Sequence, residues 1–568
     1  MKRLISCVLA LLYVMAGFAS GTWILHGKEY RVDTLYHAYI GPGTTQTSIK
    51  LAGPVNLRVF YTTTDLKNEN VDVRAIKHKD TLTGLGTVSN AAESHSTSNR
   101  SYFAGINADF FSSSMPCGIT VVDGEVYCSD QASGWSLFGI DANKIPYSGG
   151  GDFYVKLTAP DYSTAELSAM NLERETNGLV LYSSRKGANT GTDGNGSEVV
   201  LIPDGEGNFL TPGATVRMRV QGNPNHAGSM PIPDNGYILS GSGTKESFVS
   251  NLSEGDEVEV RCAIRFNGFT GGKIQQALGG CPMLVSGGKV LDTENALDHL
   301  TSAQPRTAVG YNTEKNKLVM LVADGRSSIS VGPISKVLAD IMIYAGCSEA
   351  MNFDGGGSST FYVKGEGVIN QPSDGSERSV TDGLYLSTDA PQNDVTITTI
   401  RFMDYAKTLN QGDAYTPVIY GYNQYGVLVD RNVEGVTLSC GSSLGTITND
   451  GTTLNASGSG THMLTAGYGN LTTTLSVTVI GESGISSVDN SQVLMIYPNP
   501  VEQVSVDLQE VSDALLSVCR SDGVLVSRIA VNAGEKSVSF DTSKWDRGMY
   551  ILNIVQNKNV KSLKLIVK

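Results

Sequence analysis

The stretch LVMLVADGRSSISVGPISKVLADIMIYAGCSEAMNFDGGG, residues 318–357, decides the fold that the sequence predicts. Its first six residues are continuously apolar, which is typical of a strand buried on both faces. Pro333 suits the first turn of a helix. Apolar residues then recur at helical spacing, at Ile334, Val337, Leu338, Ile341 and Ala345. Gly346 ends this helix and residues 350–353 form a second strand, so the pattern predicts a strand–helix–strand unit.

Two carboxylates follow the strands of this unit. In a strand–helix–strand crossover the two strands are usually parallel neighbours, so their carboxyl ends meet at one edge of the sheet. Open α/β sheets bind their ligands at that edge. Asp324 and Asp354 directly follow the two strands. We therefore expect both side chains to face one pocket.

Three glycines follow Asp354. The glycines at 355–357 let backbone N–H groups approach an anion without a Cβ in the way, and Ser358 and Ser359 add hydroxyl groups. A plain turn between strands would have the same composition, and that alternative stays open at this point. The second carboxylate, Asp324, favours a binding loop.

The composition indicates an exported protein. With 42 Lys and Arg against 56 Asp and Glu, the 568 residues carry a formal net charge of −14, and no basic run offers a surface for nucleic acid. Lys2 and Arg3 precede an apolar run and then small residues, the pattern of a secretory signal peptide over 1–20. No later stretch is apolar over about 18 residues, so no transmembrane segment is predicted.

The cysteine and histidine patterns argue against a zinc site, and no cofactor is predicted. Seven cysteines remain beyond Cys7, an odd number, and no zinc-site spacing is present. Cys117 and Cys128 flank a predicted hairpin, and a disulfide between them stays open. The loop at 193–196, Asp-Gly-Asn-Gly, has calcium-loop residues without a closing Glu and would suit at most a loosely bound cation.

Changes in composition divide the rest of the chain into three parts. Residues 22–390 form the largest, a predicted α+β domain whose mixed sheet contains the strand–helix–strand (βαβ) unit. Residues 394–480 have short strands between turns, typical of an Ig-like β-sandwich. Residues 481–490 are a Gly/Ser linker, and residues 491–568 are predicted to form a second all-β sandwich domain.

Four motifs of the largest part resemble one family. They are QPRTAVG (304–310), ADGR (323–326), MNFDGGGSST (351–360) and ERSV (377–380). An upstream stretch, GINADFF (105–111) with Gly118, looks like the early asparagine motif of the same family. Together, over residues 100–386, they resemble the phosphodiester glycosidase domain, which is also found in the lysosomal "uncovering enzyme". Residues 150–250 do not match that family's core and are predicted to be an insertion.

The resemblance implies cleavage between the anomeric carbon of a sugar and a phosphate oxygen. Carboxylates would stabilise the oxocarbenium-like state, and arginines would clamp the phosphate. The predicted catalytic residues are Asp354, Asp324, Glu377 and Asp109. The predicted substrate-binding residues are Asn107, Arg306, Thr307, Arg326, Asn352, Gly355, Gly356, Gly357, Ser358, Ser359, Asn370 and Arg378.

The C-terminal part resembles a second family. IYPNP (496–500), RGMYIL (547–552) and the basic tail 561–568 are similar to the type A sorting domain of the Bacteroidetes type IX secretion system. The resemblance implies passage across the outer membrane, and therefore a secreted or cell-surface protein. The expected partners are this secretion machinery and a sugar-phosphodiester or polysaccharide substrate.

Two other functions stay open. A non-catalytic surface glycan-binding protein would use the same fold without turnover, although the joint presence of Asp324, Asp354 and Arg306 favours an enzyme. A metal-dependent phosphodiesterase would hold a divalent cation on Asp324, Asp354 and Asn352 and would break the P–O bond instead. The GxSxG sequence at 441–445 lies in the Ig-like part without a following helix, and we set it aside.

Overall fold

The computed structural model describes residues 21–480 apart from 131–133, 206–208, 268, 271 and 294–300. In the C-terminal part it describes residues 496–497, 503–507, 513–520, 524–533, 535, 537–546, 548–556 and 559–567. The predicted signal peptide, the linker 481–490 and part of the predicted sorting motifs lie outside the described residues.

The strands up to residue 390 are β1 (Gly21–Leu25), β2 (Lys28–Gly41), β3 (Thr44–Ala52), β4 (Asn56–Asp65), β5 (Asp72–Lys77), β6 (Ser101–Asn107), β7 (Phe111–Ser112), β8 (Met115–Pro116), β9 (Thr120–Val122), β10 (Glu125–Cys128), β11 (Ser136–Asp141), β12 (Pro146–Thr158), β13 (Thr164–Glu166), β14 (Ala169–Met170), β15 (Leu179–Ser183), β16 (Gly196–Pro203), β17 (Thr215–Asn225), β18 (Tyr237–Ser242), β19 (Glu257–Phe266), β20 (Phe269–Thr270), β21 (Ile274–Gly280), β22 (Met283–Ser286), β23 (Lys289–Val290), β24 (Arg306–Tyr311), β25 (Lys317–Ala323), β26 (Glu349–Asn352), β27 (Phe361–Val363), β28 (Gly367–Val368) and β29 (Asp382–Thr388). The α-helices described are α1 (Val88–Ser94), α2 (Glu246–Ser250) and α3 (Ser335–Tyr344), and short 3-10 turns span Ser184–Lys186, Gly243–Lys245 and Gly356–Ser358.

The later strands are β30 (Thr399–Phe402), β31 (Ala406–Asn410), β32 (Ala414–Tyr415), β33 (Ile419–Tyr422), β34 (Leu428–Asp430), β35 (Thr437–Cys440), β36 (Gly445–Ile447), β37 (Leu454–Ala456), β38 (Gly460–Tyr468), β39 (Leu471–Ile480), β40 (Ile496–Tyr497), β41 (Gln503–Asp507), β42 (Ala514–Arg520), β43 (Leu525–Val531), β44 (Ser537–Asp541), β45 (Gly548–Gln556) and β46 (Asn559–Val567). The protein is mostly β, with 52% strand and 7% helix. The finer description, an α+β domain followed by two sandwiches, stays a prediction.

Strand β25 lies inside a nine-stranded sheet with the order β1-β2-β3-β4-β25-β24-β26-β22-β23 among the described residues. Its side chains alternate between two cores, with Leu318, Met320 and Val322 on one face. The other face packs against helix α3, where Leu321 shares a core with Leu338. Burial on both faces explains the continuous apolar run, and the predicted strand and helix are confirmed.

A second sheet covers the face of the large sheet that helix α3 leaves free. Its strand order is β28-β27-β6-β29-β5. Ile106 of β6, Phe361 of β27 and Leu384 of β29 pack with Met320 in one core. The layers are therefore a helix, the nine-stranded sheet and the five-stranded sheet, and the loops that leave strands of both sheets meet at one end.

The predicted insertion, residues 150–250, belongs to a third sheet of 13 strands. Strand β12 pairs with β19 from residue 151 to 158, and β15 to β18 extend the sheet beyond them. This region has its own core, which includes Leu157, Leu181, Leu239 and Val260. It is an extended β subdomain joined to the site-bearing part through β11 and β21.

Residues 394–480 form short strands close to the predicted positions, in sheets of three, four and three strands; their Ig-like character stays a prediction. This part contacts the first through the Tyr422 hydroxyl, which donates to the Tyr39 carbonyl at 2.7 Å, and through an Arg431–Glu366 ion pair at 2.8 Å. No helix of the described residues is both long and apolar enough to span a membrane.

Candidate active site

The ends of three strands create the site. Strand β24 lies between β25 and β26 and is antiparallel to both, with Arg306 opposite Ala323 and Ala308 opposite Asn352. The predicted crossover is therefore corrected in one respect: β25 and β26 run in the same direction but are not neighbours. Because the start of β24 and the ends of its two neighbours share one edge, Arg306 joins the acidic residues there.

The end of strand β6 is tied to the loop that begins at Asp354. The Asn107 side chain donates to the Asp354 carbonyl at 2.7 Å, and the Asp354 N–H donates to the Ala108 carbonyl at 2.8 Å. The Asn107 Oδ1 accepts from the Thr307 hydroxyl at 2.7 Å and from the Thr360 N–H at 3.1 Å. Asn107 and Thr307 are buried. Their contacts hold the loop in place, and their predicted role in binding substrate stays a prediction.

Each glycine of the loop faces a different arginine. A Cβ on Gly355 would lie 3.8 Å from Nη1 of Arg306, and one on Gly356 would lie 2.9 Å from Nη2 of Arg326. A Cβ on Gly357 would overlap the Arg378 guanidinium. Glycine is favoured at Gly355 because a Cβ would lie 2.8 Å from the Pro305 carbonyl oxygen, and at Gly356 because its φ is +61°. At Gly357 the Arg378–Asp374 pair leaves no room for a Cβ.

The three arginines are held mainly by neutral groups and by one acid outside the loop. Arg306 donates to the Ser302 carbonyl, and Arg326 donates to Gln304 Oε1 at 2.9 Å. Arg378 donates to Asp374 Oδ2 at 2.8 Å. Burial and the adjacent charge of Arg326 lower the pKa of Arg306 to about 10. Among the contacts described, the three guanidinium groups have one carboxylate partner, Asp374, an arrangement that suits a phosphate.

Asp354 has a carboxylate without an ion pair to any described residue. The side chain is partly exposed. Burial raises its pKa to about 6, against the opposing effects of the Ser358 hydroxyl, the Arg378 charge and the Gly355 N–H. The carboxylate is therefore mostly ionised at neutral pH and retains free acceptor capacity, which is the condition that a nucleophile or general base needs.

Asp324 lies at the same sheet edge but is only 2% exposed. Its Oδ1 accepts from the Gln371 N–H at 2.8 Å. Asn370 donates to the Ser359 carbonyl at 3.0 Å and accepts from the Phe361 N–H at 2.7 Å. Asp324 thus anchors segment 370–371, which in turn holds the far end of the glycine loop. Within the part of the chain that the structure describes, no hydrogen bond joins Asp324 to Asp354. The catalytic role of Asp324 stays a prediction that these contacts do not favour.

Glu377 lies at the start of helix α1. Its two carboxylate oxygens accept from the Ser89 N–H at 2.9 Å and from the Ser89 hydroxyl at 2.5 Å. A carboxylate at this position satisfies helix N–H groups and the helix dipole. These contacts of Glu377 cap helix α1 and do not involve the Asp354 carboxylate.

Asn352 and the serines complete the surroundings of the loop. The Asn352 side chain is fully buried and donates to the Cys281 carbonyl at 2.8 Å. Ser358 contacts the Asp354 carboxylate, and the Ser359 hydroxyl accepts from Thr307 at 3.2 Å. No group of three or more His, Cys, Asp or Glu side chains suited to a metal ion occurs within the described ranges.

Behind the loop, the structure adds a buried carboxylate pair that sequence reasoning identified only in part. The Asp109 N–H donates to Asp382 Oδ1 at 2.9 Å, and Asp109 Oδ2 accepts from the Gly118 N–H at 2.9 Å. Burial and the Asp382 charge raise the pKa of Asp109 well above its usual value, while Lys77 opposes the rise in the pKa of Asp382. Asp382 and Lys77 gave no sequence signal, because the pair joins positions 273 residues apart.

The cysteines near this pair are free thiols. Cys117 and Cys128, for which a disulfide was open, are unpaired, as are the other described cysteines. Burial, with the charges of Asp109 and other nearby carboxylates, raises the pKa of Cys117 to about 11. The thiol is protonated at neutral pH and makes a poor nucleophile.

A family model matches the part of the chain that contains most residues of this site. The family model described as phosphodiester glycosidase matches residues 211–387, an interval that contains Arg306, Asp354, Arg378 and Asp382. The chain carries a phosphodiester glycosidase domain. The matched interval omits Asn107, although the structure ties this residue to the Asp354 loop of the glycosidase domain. The predicted limits of the domain, 22–390, stay a prediction.

A second family model, described as the secretion system C-terminal sorting domain, matches residues 495–568. Both predicted resemblances are thus confirmed. The sorting domain indicates that the protein is exported, to the cell surface or the medium. The Ig-like part and the signal peptide stay predictions.

Relatives give little further information about activity. The chain is 40% identical over 88 residues to the SPbeta prophage-derived uncharacterized protein YomE of Bacillus subtilis, a match that covers 16% of this chain and 13% of that protein. The chain thus spans only a small part of this curated relative.

Three solved structures are similar to part of this chain in their backbone. A putative exported protein from Burkholderia pseudomallei has a TM-score of 0.48 at 17% identity, covering 65% of this chain and 98% of that one. A hypothetical protein from Synechocystis has a TM-score of 0.48 at 16% identity, covering 61% and 62%. The catalytic domain of zebrafish N-acetylglucosamine-1-phosphodiester alpha-N-acetylglucosaminidase has a TM-score of 0.33 at 13% identity, covering 62% and 87%. These values alone assign no activity.

Proposed function

We propose that the glycosidase domain hydrolyses the C1–O bond of a sugar 1-phosphodiester of the N-acetylglucosamine 1-phosphate type, or of a related extracellular glycan. The observation that carries the proposal is the placement of Asp354, a partly exposed carboxylate without an ion pair among the described residues, at the start of a loop that faces three arginines. A carboxylate beside the anomeric carbon and cations around the phosphate are what this cleavage requires.

The chemistry divides between the two kinds of group. Arg306 and Arg378 would bind the phosphate and stabilise the charge that grows on it as the C1–O bond breaks, and the exposed Arg326 would contribute to phosphate binding alone. A phosphate leaves as a stable anion, so strong protonation of the leaving oxygen is not needed. Asp354 would act on the sugar side, as a nucleophile or as the base for water, and would stabilise the oxocarbenium-like state.

Buried side chains keep this arrangement in place. Asn107 fixes the backbone of Asp354, and Asp324 fixes segment 370–371 at the far end of the loop. Because a displacement of about 1 Å costs much of an enzyme's rate, we assign Asn107 and Asp324 a positioning role. This assignment replaces the direct catalytic role that the sequence predicted for Asp324.

The remaining parts of the chain complete the proposal. Residues 1–20 would act as the export signal and residues 394–480 as an Ig-like spacer, in a protein from Bacteroidetes. The sorting domain would engage the type IX secretion machinery. A cell-surface or secreted location brings the glycosidase domain to phosphodiester-linked glycans outside the cell.

Isotope labelling tests the proposal. The purified protein is incubated with an N-acetylglucosamine 1-phosphodiester in ¹⁸O-labelled water, and both products are analysed by mass spectrometry. Label in the released sugar is expected, because water replaces the phosphate at C1. Label in the phosphate would overturn the proposal in favour of a phosphodiesterase. No release from a panel of sugar phosphodiesters, together with retained glycan binding, would instead favour a surface glycan-binding protein.

A further inference from the structure

Two aromatic side chains on segments connected to the Asp354 loop have no role in the proposed chemistry. The rings of Phe110 and Trp135 meet edge to face, with centroids 4.9 Å apart and an interplanar angle of 66°. Both side chains are partly exposed. A partly exposed aromatic pair offers an apolar surface against which a ligand can pack.

Phe110 is connected to the Asp354 loop through short steps. It follows Asp109, whose carboxylate its own N–H helps to stabilise. Ala108, two residues earlier, accepts the Asp354 N–H at 2.8 Å. The Phe110 carbonyl accepts from the Cys117 N–H at 2.9 Å, and the Cys117 thiol lies within reach of the Asp354 charge.

Trp135 is connected to the Asp354 loop through a different segment. It directly precedes β11, whose first residue, Ser136, is paired with Gly280. The next residue, Cys281, accepts a hydrogen bond from Asn352, two residues before Asp354. Two separate segments thus deliver one aromatic ring each to the surroundings of Asp354.

Asp354 therefore joins two zones of different chemistry. Its backbone N–H is bound to the segment that leads to Phe110, and its next residues, 355–357, run along the three arginines. A substrate with C1 at Asp354 and its phosphate at the arginines would extend its sugar ring toward the aromatic pair. The apolar C–H face of a pyranose is suited to packing on such rings.

We propose that Phe110 and Trp135 form the subsite for the glycosyl ring, and that they select a pyranose with an unobstructed apolar face. The proposal rests on the proposed function, since it takes the arginines as the phosphate site. Both residues lie outside the matched interval 211–387. Phe110 lies in the upstream stretch 105–111 that resembles the family, whereas Trp135 lies outside every motif of that resemblance.

Binding to an inactive protein tests the subsite separately from turnover. In an Asp354→Asn background, the dissociation constants of N-acetylglucosamine 1-phosphate and of inorganic phosphate are measured by titration calorimetry. Trp135→Ala and Phe110→Ala are each expected to weaken sugar phosphate binding about tenfold, from the loss of apolar contact. Inorganic phosphate binding should stay unchanged, and Trp135→Phe should restore most of the sugar affinity.

Matched controls separate the possible failures. Tyr162 is 86% exposed, and Tyr162→Ala should leave both affinities unchanged. Circular dichroism shows whether each variant is folded. Equal affinity for the sugar phosphate in Trp135→Ala, or an equal loss for both ligands, would overturn the subsite. If the labelling experiment fails but the sugar-specific loss is seen, the proposed reaction falls and the subsite stands.

A spectroscopic measurement gives a second readout. The sequence has three tryptophans, Trp23, Trp135 and Trp545. In a Trp23→Phe, Trp545→Phe protein, Trp135 is the one tryptophan left, and selective tryptophan excitation reports on it alone. N-acetylglucosamine 1-phosphate should change this emission while inorganic phosphate should not. An unchanged spectrum at saturating sugar phosphate would place the sugar elsewhere.

Discussion

Two loops of this protein begin with Asp-Gly and lie beside an arginine, yet their carboxylates differ. In the β subdomain, Asp193 Oδ1 accepts from Arg174 at 2.6 Å, and Oδ2 accepts from the Asn195 side chain at 2.6 Å. The Asn195 contacts, with a smaller contribution from Arg174, lower the pKa of Asp193. Both oxygens already bind protein donors, which leaves little reason for the cation that the loop's composition suggested.

In the loop at Asp354, the neighbouring arginines bind other residues instead of the carboxylate. Its arginines bind Ser302, Gln304 and Asp374, and the Asp354 carboxylate has no ion pair among the described residues. Burial therefore raises its pKa to about 6. The comparison teaches that residue types do not make a carboxylate reactive; what matters is whether neighbouring donors already satisfy it.

The largest expected difference between the loops is in turnover. Asp354→Asn should lower kcat/KM by about a thousandfold or more, because the amide cannot attack C1 or accept a proton. Asp193→Asn should leave kcat/KM within about twofold. Both are measured as sugar release from the phosphodiester. Similar losses in the two variants would show that the two loops do not differ in the way described.

The second-largest expected effect on kcat/KM comes from adding a methyl group to a glycine that lies against an arginine. In Gly357→Ala, the new methyl group would overlap the ends of Arg378 and Asp374, so Arg378 must move away from its place at the loop and kcat/KM should fall about a hundredfold. Gly441→Ala is the control, since the nearest atom to its Cβ is 3.5 Å away. Melting temperatures check that the folding of both variants is preserved. An unchanged kcat/KM for Gly357→Ala would contradict the idea that close packing at residue 357 matters for turnover.

The raised pKa of Asp354 predicts that its ionised carboxylate destabilises the folded state at neutral pH. A folded-state pKa of about 6 against a usual 3.8 means that the folded state binds the proton more tightly. Stability should therefore decrease as pH rises from about 4 to 6. Asp354→Asn should remove this contribution and gain roughly 1–2 kcal/mol at pH 7, after a discount for partial exposure.

Chemical denaturation of the wild type and Asp354→Asn across pH 4–7 measures this gain as a difference between two curves. Asp193→Asn should have the opposite sign, because a lowered pKa contributes stability that is lost as pH falls. If the Asp354→Asn difference is independent of pH, the carboxylate has an ordinary pKa.

The smallest expected effect concerns single arginines. Arg326 is exposed and binds Gln304, so Arg326→Ala should raise KM about fivefold with little change in kcat. Arg174 is buried against Asp193, with 3% of its side chain exposed. Arg174→Ala should lower the melting temperature and leave KM unchanged. If KM rises in both variants, Arg326 cannot be distinguished as a substrate-binding arginine from Arg174 as a structural one.

Local patterns predicted the elements around the site well. The apolar run became β25 because its side chains enter two cores, and the helical spacing after Pro333 became α3, Ser335–Tyr344. The glycine loop and its three arginines were also named from sequence, because motifs record residue types at fixed spacing. The partners of these residues could not be predicted in the same way.

Long-range contacts account for what the sequence did not predict. Strand β24 lies between β25 and β26, and periodicity indicates a strand but not its neighbour. Asp324 became buried because segment 370–371 closes over it, and Asp382 joined Asp109 through β29 and β6. Each contact depends on the assembled sheets, which no local pattern of residues encodes.

The position of β6 has a consequence for how the protein is made. This strand, Ser101–Asn107, lies between β27 and β29 in its sheet, so its two neighbours are synthesised more than 250 residues after it begins. Until they emerge, its edges stay open and the nascent chain cannot close this layer. A gene fragment restricted to residues 211–387 would lack the central strand and should yield insoluble material, whereas one that starts at residue 21 should not.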